Sequence, residues 1–176
     1  MLVIGVRGAG KSTLLAKAKA EANVHVVRVT TTRPRRLWEP IEYDHRSVWL
    51  QPDDLAWEFE VGGWKYGVRW SELAEVARRG IGVSLFHAGS LECLPTAKLA
   101  ARGLSTVTVG LDTVHSLAEQ WHRVGDDPSR RMTERDLQAE LNVTRSSDYV
   151  LNGTPGELFE RFVLLLRSLT PTRLES

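Results

Sequence analysis

A single cysteine, Cys93, stands among 176 residues, so no internal disulfide can form and a reducing compartment is expected. No apolar run approaches the roughly 18 residues that a bilayer span requires, and the apolar start, Met1 to Ile4, is too short for the core of a secretion signal. The expected setting is therefore the cytoplasm, without a membrane. The formal net charge is only +1, from 23 Lys and Arg against 22 Asp and Glu. With no polybasic arm and no acidic tail, long nucleic acid is not an expected partner, and any electropositive site must be local. The histidines, His25, His45, His87, His115 and His122, stand at no metal-ligand spacing with one another or with Cys93, so no structural metal is expected. Internal repeats and low-complexity segments are missing as well. What remains, 42% hydrophobic residues over this length, suffices for one domain over 1–176, as a monomer or homodimer.

The chain carries its chemistry at the start. Leu2, Val3 and Ile4 run into Gly5, Val6, Arg7, Gly8, Ala9, Gly10, Lys11, Ser12 and Thr13, which is a phosphate-binding loop of the form G-x-x-x-x-G-K-[ST] between an apolar strand and a helical run, Leu14 to Ala22. Each residue type has a reason. Glycines let backbone N–H groups turn inward around an anion, the helix N-terminus adds a positive dipole, Lys11 reaches terminal phosphates, and the Ser12 hydroxyl can ligate Mg²⁺. The loop predicts ATP or another nucleoside triphosphate with Mg²⁺, the phosphates held by Gly5, Gly8, Ala9, Gly10, Lys11, Ser12 and Thr13.

The rest of the chain alternates. Val24 to Val29, Gly82 to Phe86, Thr106 to Val109 and Tyr149 to Leu151 read as buried strands. Ser71 to Arg79, Ser90 to Ala101, Thr113 to His122 and Thr133 to Leu141 read as crossover helices of the length that parallel strands need. Thr154-Pro155-Gly156-Glu157 is a capping box with proline at the first helical position, opening a helix whose Leu158, Phe162, Leu165, Leu166 and Leu169 share one face. Together these elements predict a three-layer α/β fold around a parallel sheet.

Residues from about 31 to 70 break this rhythm. Trp38, Trp49, Trp57, Trp64 and Trp70 fall there, close to Arg33, Arg35 and Arg36. Trp57-Glu58-Phe59-Glu60-Val61 alternates like a half-buried strand with aromatics on one face and glutamates on the other, and Gly62-Gly63 marks a turn. Two readings stand for the tryptophans: the core of a small inserted lobe, or rings that stack on a base or sugar. Thr30-Thr31-Thr32-Arg33-Pro34-Arg35-Arg36 puts hydroxyls and guanidiniums after the second strand, where the rigid donor fork of arginine suits a second phosphate.

From the phosphate loop, TTTRPRR near residue 30, Glu42-Tyr43, Tyr66-Gly67, a lid-like stretch from Arg123 to Arg135, and Asp148-Tyr149-Val150-Leu151-Asn152, the chain resembles the guanylate kinase family of nucleoside monophosphate kinases over most of its length. The resemblance implies a P-loop NTPase core with an acceptor-binding lobe at about 31–70 and a mobile lid at about 123–135. It also implies ATP-dependent phosphoryl transfer to a small phosphorylated acceptor. It makes Arg33, Arg36 and Tyr43 ligands of the acceptor phosphate, places Tyr66 in the acceptor lobe, and puts Asn152 near the adenine of ATP. Arg123, Arg130, Arg131 and Arg135 flank Gly125-Asp126-Asp127-Pro128; they read either as surface charges or as lid arginines, and the resemblance casts Arg130, Arg131 and Arg135 as catalytic beside Lys11.

The departures from the pattern are chemical. The position of the family's guanine-reading glutamate is Trp57 and the hydroxyl residue after Tyr-Gly is Val68, so the resemblance places both at the acceptor, and Val29 stands where a phosphate-binding serine is common. Neither an indole nor an isopropyl group can bind a guanine edge by the same hydrogen bonds. Glu58 is adjacent to Trp57 but faces oppositely in a regular strand unless a bulge rotates it. The family's E-x-D after the third strand is replaced by Phe86-His87-Ala88-Gly89-Ser90, and its second lid-helix arginine by Gln138 or Ala139. His87 reads either as a base near the active site or as a strand-end residue with one satisfied hydrogen bond. The Tyr-Gly-Val triplet and the missing acidic residues also give a partial resemblance to ribose 1,5-bisphosphate phosphokinases, which makes a sugar phosphate the second acceptor after a nucleoside monophosphate. A non-catalytic binding module of the same fold is a further alternative.

Overall fold

The computed structural model describes residues 1–22, 24–36, 43–125 and 130–169. Trp38, Glu42, Asp126, Asp127 and Pro128 lie outside the described residues. The first four-stranded sheet is parallel, in the order β6 (Ser84–Leu85), β1 (Leu2–Ile4), β7 (Thr108–Leu111), β8 (Tyr149–Leu151). Between its strands run α1 (Lys11–Glu21), α2 (Trp70–Arg79), α3 (Thr96–Ala100), α4 (Leu117–Val124) and α5 (Glu134–Arg145), and α6 (Pro155–Leu169) follows the last strand. The second sheet holds β2 (Val29–Thr31), β3 (Tyr43–His45), β4 (Leu55–Val61) and β5 (Trp64–Arg69) in the order β3-β2-β5-β4, which is the inserted lobe.

Strand alternation divides the core into two layers. Val3 packs into one cluster with Leu14 and Leu15 of α1, Leu137 and Leu141 of α5, and Leu158, Phe162 and Leu166 of α6. Leu2 and Ile4 point the other way, to Leu73 of α2, Leu99 of α3, Phe86, and Trp57 and Val68 of the inserted lobe. The lobe is thereby fastened to the parallel sheet by apolar packing. The α6 capping box is present: the Thr154 N–H donates to the Glu157 carboxylate at 2.8 Å and the Glu157 N–H donates back to Thr154 Oγ1 at 3.4 Å. Gly62 and Gly63 form the two-residue turn between β4 and β5 with φ of 60° and 76°, the pair of positive values that matches the twist of a tight hairpin.

Two expected elements differ. The run from Val24 to Val29 does not form one buried strand: Val26 makes a single parallel bridge to Val83, and the chain then crosses to the second sheet at Val29. A β-branched run reports extended backbone and burial, which two adjoining sheets satisfy as well as one. The expected helix from Ser90 to Ala101 is split into a 3₁₀ segment, Ala88–Cys93, and α3. Pro95 supplies no N–H and drives Leu94 into extended geometry, with ψ at 117°.

β7 and α5 meet at Gly110, where an added Cβ would run into the carbonyl oxygen of Thr144 and meet Ser147 Oγ at 3.0 Å. Backbone on both sides cannot move aside cheaply. Gly110→Ala is expected to destabilise the fold by about 1–3 kcal/mol, as overpacking does. Urea unfolding should show a lower midpoint at unchanged slope; an unchanged midpoint would disprove the close approach.

Candidate functional site

All four parallel strands present their C-terminal ends at one edge, where the turns after β1 and β6 meet the segment after β7; open parallel sheets bind ligands there. A cleft of about 450 Å³ opens at this edge. Gly5, Gly8, Ala9, Gly10, Lys11, Ser12 and Thr13 line one end of it. α1 begins inside that wall, so its unpaired first-turn N–H groups contribute positive potential. Lys11 folds back over the loop and its Nζ donates to the carbonyls of Gly5 and of Val6, the latter at 2.9 Å. Burial lowers the Lys11 pKa from 10.5 to about 8, opposed by the negative charge of Glu140 and assisted by Arg130 and Arg7.

Gln120 of α4 ties the loop to the segment leading into α5. The residue is completely buried. Its Nε2 donates to the carbonyls of Arg7 at 3.2 Å and Arg130 at 2.9 Å, while its Oε1 accepts from the Met132 N–H at 3.2 Å. Arg123, also at the cleft, is braced by Glu119 and by Thr113 Oγ1, whose hydroxyl in turn donates to the Ala9 carbonyl at 3.0 Å.

Arg33, Arg36, Tyr43 and Tyr66 line the opposite end, contributed by the inserted lobe. Arg33 is buried and held: its N–H donates to Thr31 Oγ1 at 3.1 Å, its Nη1 to the Pro34 carbonyl at 2.8 Å, and its guanidinium lies 5.4 Å from the Tyr43 ring centroid. Arg36 is exposed at the cleft mouth. Between the two ends, Phe59 stacks on Tyr66 with centroids 5.6 Å apart and planes 11° apart, and leans on Phe86 at 5.1 Å. The middle of the cleft is thus an aromatic wall.

The structure corrects two acceptor-site expectations. Trp57 and Val68 are cross-strand partners buried in the core at 6% and 1% exposure, and they sit under Phe86 instead of lining the cleft. They share the inward face of the hairpin with Phe59 and Tyr66 but lie at the end packed on the parallel sheet. Glu58 faces away and accepts from Trp49 Nε1 at 2.6 Å. The register shift in β4 falls between Leu55 and Trp57, ahead of Glu58, so no bulge turns Glu58 inward.

Among the lid residues, Arg123 and Arg130 reach the cleft. Arg131 does not: it lies 5.7 Å from the Trp121 ring and donates to the Gly125 carbonyl at 3.5 Å. Arg135, exposed in the first turn of α5, is also outside the lining, as is Asn152, whose Oδ1 accepts from Arg161 at 2.8 Å. One site residue escaped the sequence reading. Glu140 is 7% exposed and lines the cleft, with Oε1 3.1 Å from His87 Nε2. Its signal was spacing: Leu137, Glu140, Leu141 and Thr144 form the buried stripe of α5, so a carboxylate occupies a core-facing position. Among the described residues no three His, Cys, Asp or Glu side chains converge as a metal cluster, and no helix is long and apolar enough to cross a membrane.

No family model matches the sequence, and no curated protein matches it. Among solved structures, the fold is similar to that of guanylate kinase from Anaplasma phagocytophilum, with a TM-score of 0.60 at 16% identity over 98% of this chain and 87% of that one. The chain therefore has a guanylate-kinase-like α/β fold of the P-loop type.

The lowered Lys11 pKa has a consequence for anion binding. A polyphosphate favours the ammonium form, and above pH 8 the empty loop holds mostly neutral lysine. Affinity for inorganic triphosphate should therefore be level below about pH 7 and fall about tenfold by pH 9, with proton uptake on binding between the free and bound pKa values. Calorimetric titrations in buffers of different ionisation enthalpy measure both; a flat profile in wild type, or the same fall in Lys11→Met, would show that Lys11 does not face the anion.

Proposed function

We propose that the protein is a phosphotransferase that moves the γ-phosphoryl group of ATP to a small acceptor that already carries a phosphate. The supporting observation is a single cleft with the Lys11 loop at one end and Arg33, Arg36 and Tyr43 at the other. In this reading the loop amides and Lys11 hold the donor phosphates, and Arg33 and Arg36 fix the acceptor phosphate. A nucleophilic acceptor oxygen then faces the γ-phosphorus and displaces the β-phosphate oxygen. Arg123 and Arg130, at the edge nearest the loop, stabilise charge on the group in transit. Such catalysis is positioning and charge compensation, with the barrier lowered by holding both partners in line.

The donor set fits Mg²⁺. Ser12 lines the cleft in the first turn of α1, and the carboxylate of Glu140 lines the same cleft; Mg²⁺ in phosphoryl-transfer sites is held through few protein oxygens plus phosphate and water. Bound there, the ion would neutralise charge shared by the β- and γ-phosphates. Arg131, Arg135 and Asn152 lie outside the cleft lining and take no part in this reading. The reading takes 1–176 as one kinase domain acting in the cytoplasm.

A nucleoside monophosphate is the first acceptor, because Phe59 and Tyr66 offer a stacking surface between the phosphate sites. The outward Glu58 and the core positions of Trp57 and Val68 remove the polar groups that would read a guanine edge, which favours weak base discrimination and keeps ribose phosphates as second candidates. A binding module of this fold is less well supported, since partner binding needs no desolvated lysine at an anion loop.

Lys11→Ala is expected to abolish transfer with no loss of thermal stability, because the native ammonium is held against its preference for water. Near-native turnover by this variant would refute the donor site. Arg36→Ala should raise the acceptor KM by about one to two powers of ten with unchanged ATP affinity, as loss of one charge-assisted phosphate contact does. Across GMP, AMP, dTMP and ribose 1,5-bisphosphate, kcat/KM is expected to show no preference for GMP beyond about a thousandfold; a larger one would establish guanine reading by groups other than Glu58.

A further inference from the structure

Glu140 is a buried carboxylate with half of its bonding capacity unused. Its Oε1 meets His87 Nε2 at 3.1 Å, while Oε2 is shut off from solvent-sized contact by the surrounding protein and has no hydrogen-bond partner. The side chain is more than nine-tenths buried and lines the cleft. Buried carboxylate oxygens are normally satisfied, and one that is not marks a place completed by something outside the chain.

The environment indicates what completes it. His87 is anchored in turn, its Nδ1 3.4 Å from Ser90 Oγ and its ring near-parallel to Phe59. Glu140 is therefore held from the 3₁₀ segment after β6 and cannot swing away from the loop. Lys11 donates to the carbonyls of Gly5 and Val6, and its ammonium feels the negative charge of Glu140 together with the positive charges of Arg130 and Arg7. A triphosphate on that loop would bring several negative charges towards a fixed carboxylate, which is repulsive unless a cation lies between them. A neutral donor from the acceptor could satisfy Oε2 but would leave this repulsion in place.

The geometry points to Glu140 as an acidic anchor for the divalent cation that would accompany a bound triphosphate, with His87 as the residue that positions the carboxylate. The assignment rests on the phosphotransferase reading and deepens it: the acid comes from α5, the helix after the lid, instead of from the strand end where Phe86 and His87 stand. Attachment through α5 also couples cation binding to the placement of Arg130, because Gln120 joins the Arg130 and Met132 segment to the loop.

The test is Mn²⁺ binding to the full chain with a non-hydrolysable ATP analogue, read by electron paramagnetic resonance of free Mn²⁺, alongside analogue binding in EDTA. Glu140→Gln keeps the size and an acceptor for His87 while removing the charge. It should weaken Mn²⁺ in the ternary complex by about tenfold to a hundredfold, the range for groups supporting a metal site, and leave metal-free analogue binding equal or tighter. Glu140→Asp keeps the charge, guards against a folding defect in Gln, and should weaken Mn²⁺ by less. Unchanged Mn²⁺ affinity in either folded variant overturns the assignment, and if acceptor KM alone rises, Glu140 belongs to the acceptor instead. Failure of wild type to bind the analogue at all would overturn the phosphotransferase reading itself, a result distinguishable from the others.

Discussion

The structure is organised around one awkward charge. Lys11 carries an ammonium that burial disfavours, kept in place by two loop carbonyls and by the field of Glu140. An ammonium in that position is poorly compensated by neutral carbonyls alone, which gives the loop a local positive potential. The surrounding elements serve to keep this arrangement from relaxing. α1 cannot shift because Leu14, Leu15 and Ala18 are locked into the core, and the loop cannot open because Thr113 and Gln120 bond its carbonyls from behind.

The second half of the cleft is rigid for a different reason. The inserted lobe is a small sheet that cannot bury both faces, so it docks Trp57 and Val68 on Phe86 and leaves Phe59 and Tyr66 at the cleft. Arg33 and Arg36 are positioned relative to the loop by that apolar seam, with no covalent or ionic link required. The same seam explains why two residues expected at the ligand became core: on one strand face, depth along the strand decides whether a side chain meets protein or solvent.

Much of this was legible in the residues. The phosphate loop, the capping box of α6, the Gly62-Gly63 turn and the alternation in β4 are local patterns, and each forms as its spacing indicates. The resemblance to guanylate kinases carried the architecture as well, and the fold is of that kind. Local pattern failed where two sheets adjoin at Val26 to Val29, since extended backbone does not declare which neighbour it pairs with. It failed too at Glu140, whose placement is fixed by His87, 53 residues away.

What the sequence determined by itself was therefore the glycine-rich loop ahead of α1, the α/β class and the basic character of the opposite wall, because these follow from backbone freedom at glycine, helix dipoles and fixed side-chain charge over a few consecutive residues. The tertiary structure alone decided which aromatic rings line the cleft, which lid arginines reach it and which carboxylate stands by Lys11. Those are questions of direction and distance between elements far apart in the chain, and they are settled by how apolar faces pack: the buried stripe of α5 that seats Leu137 and Leu141 also carries Glu140 into the cleft.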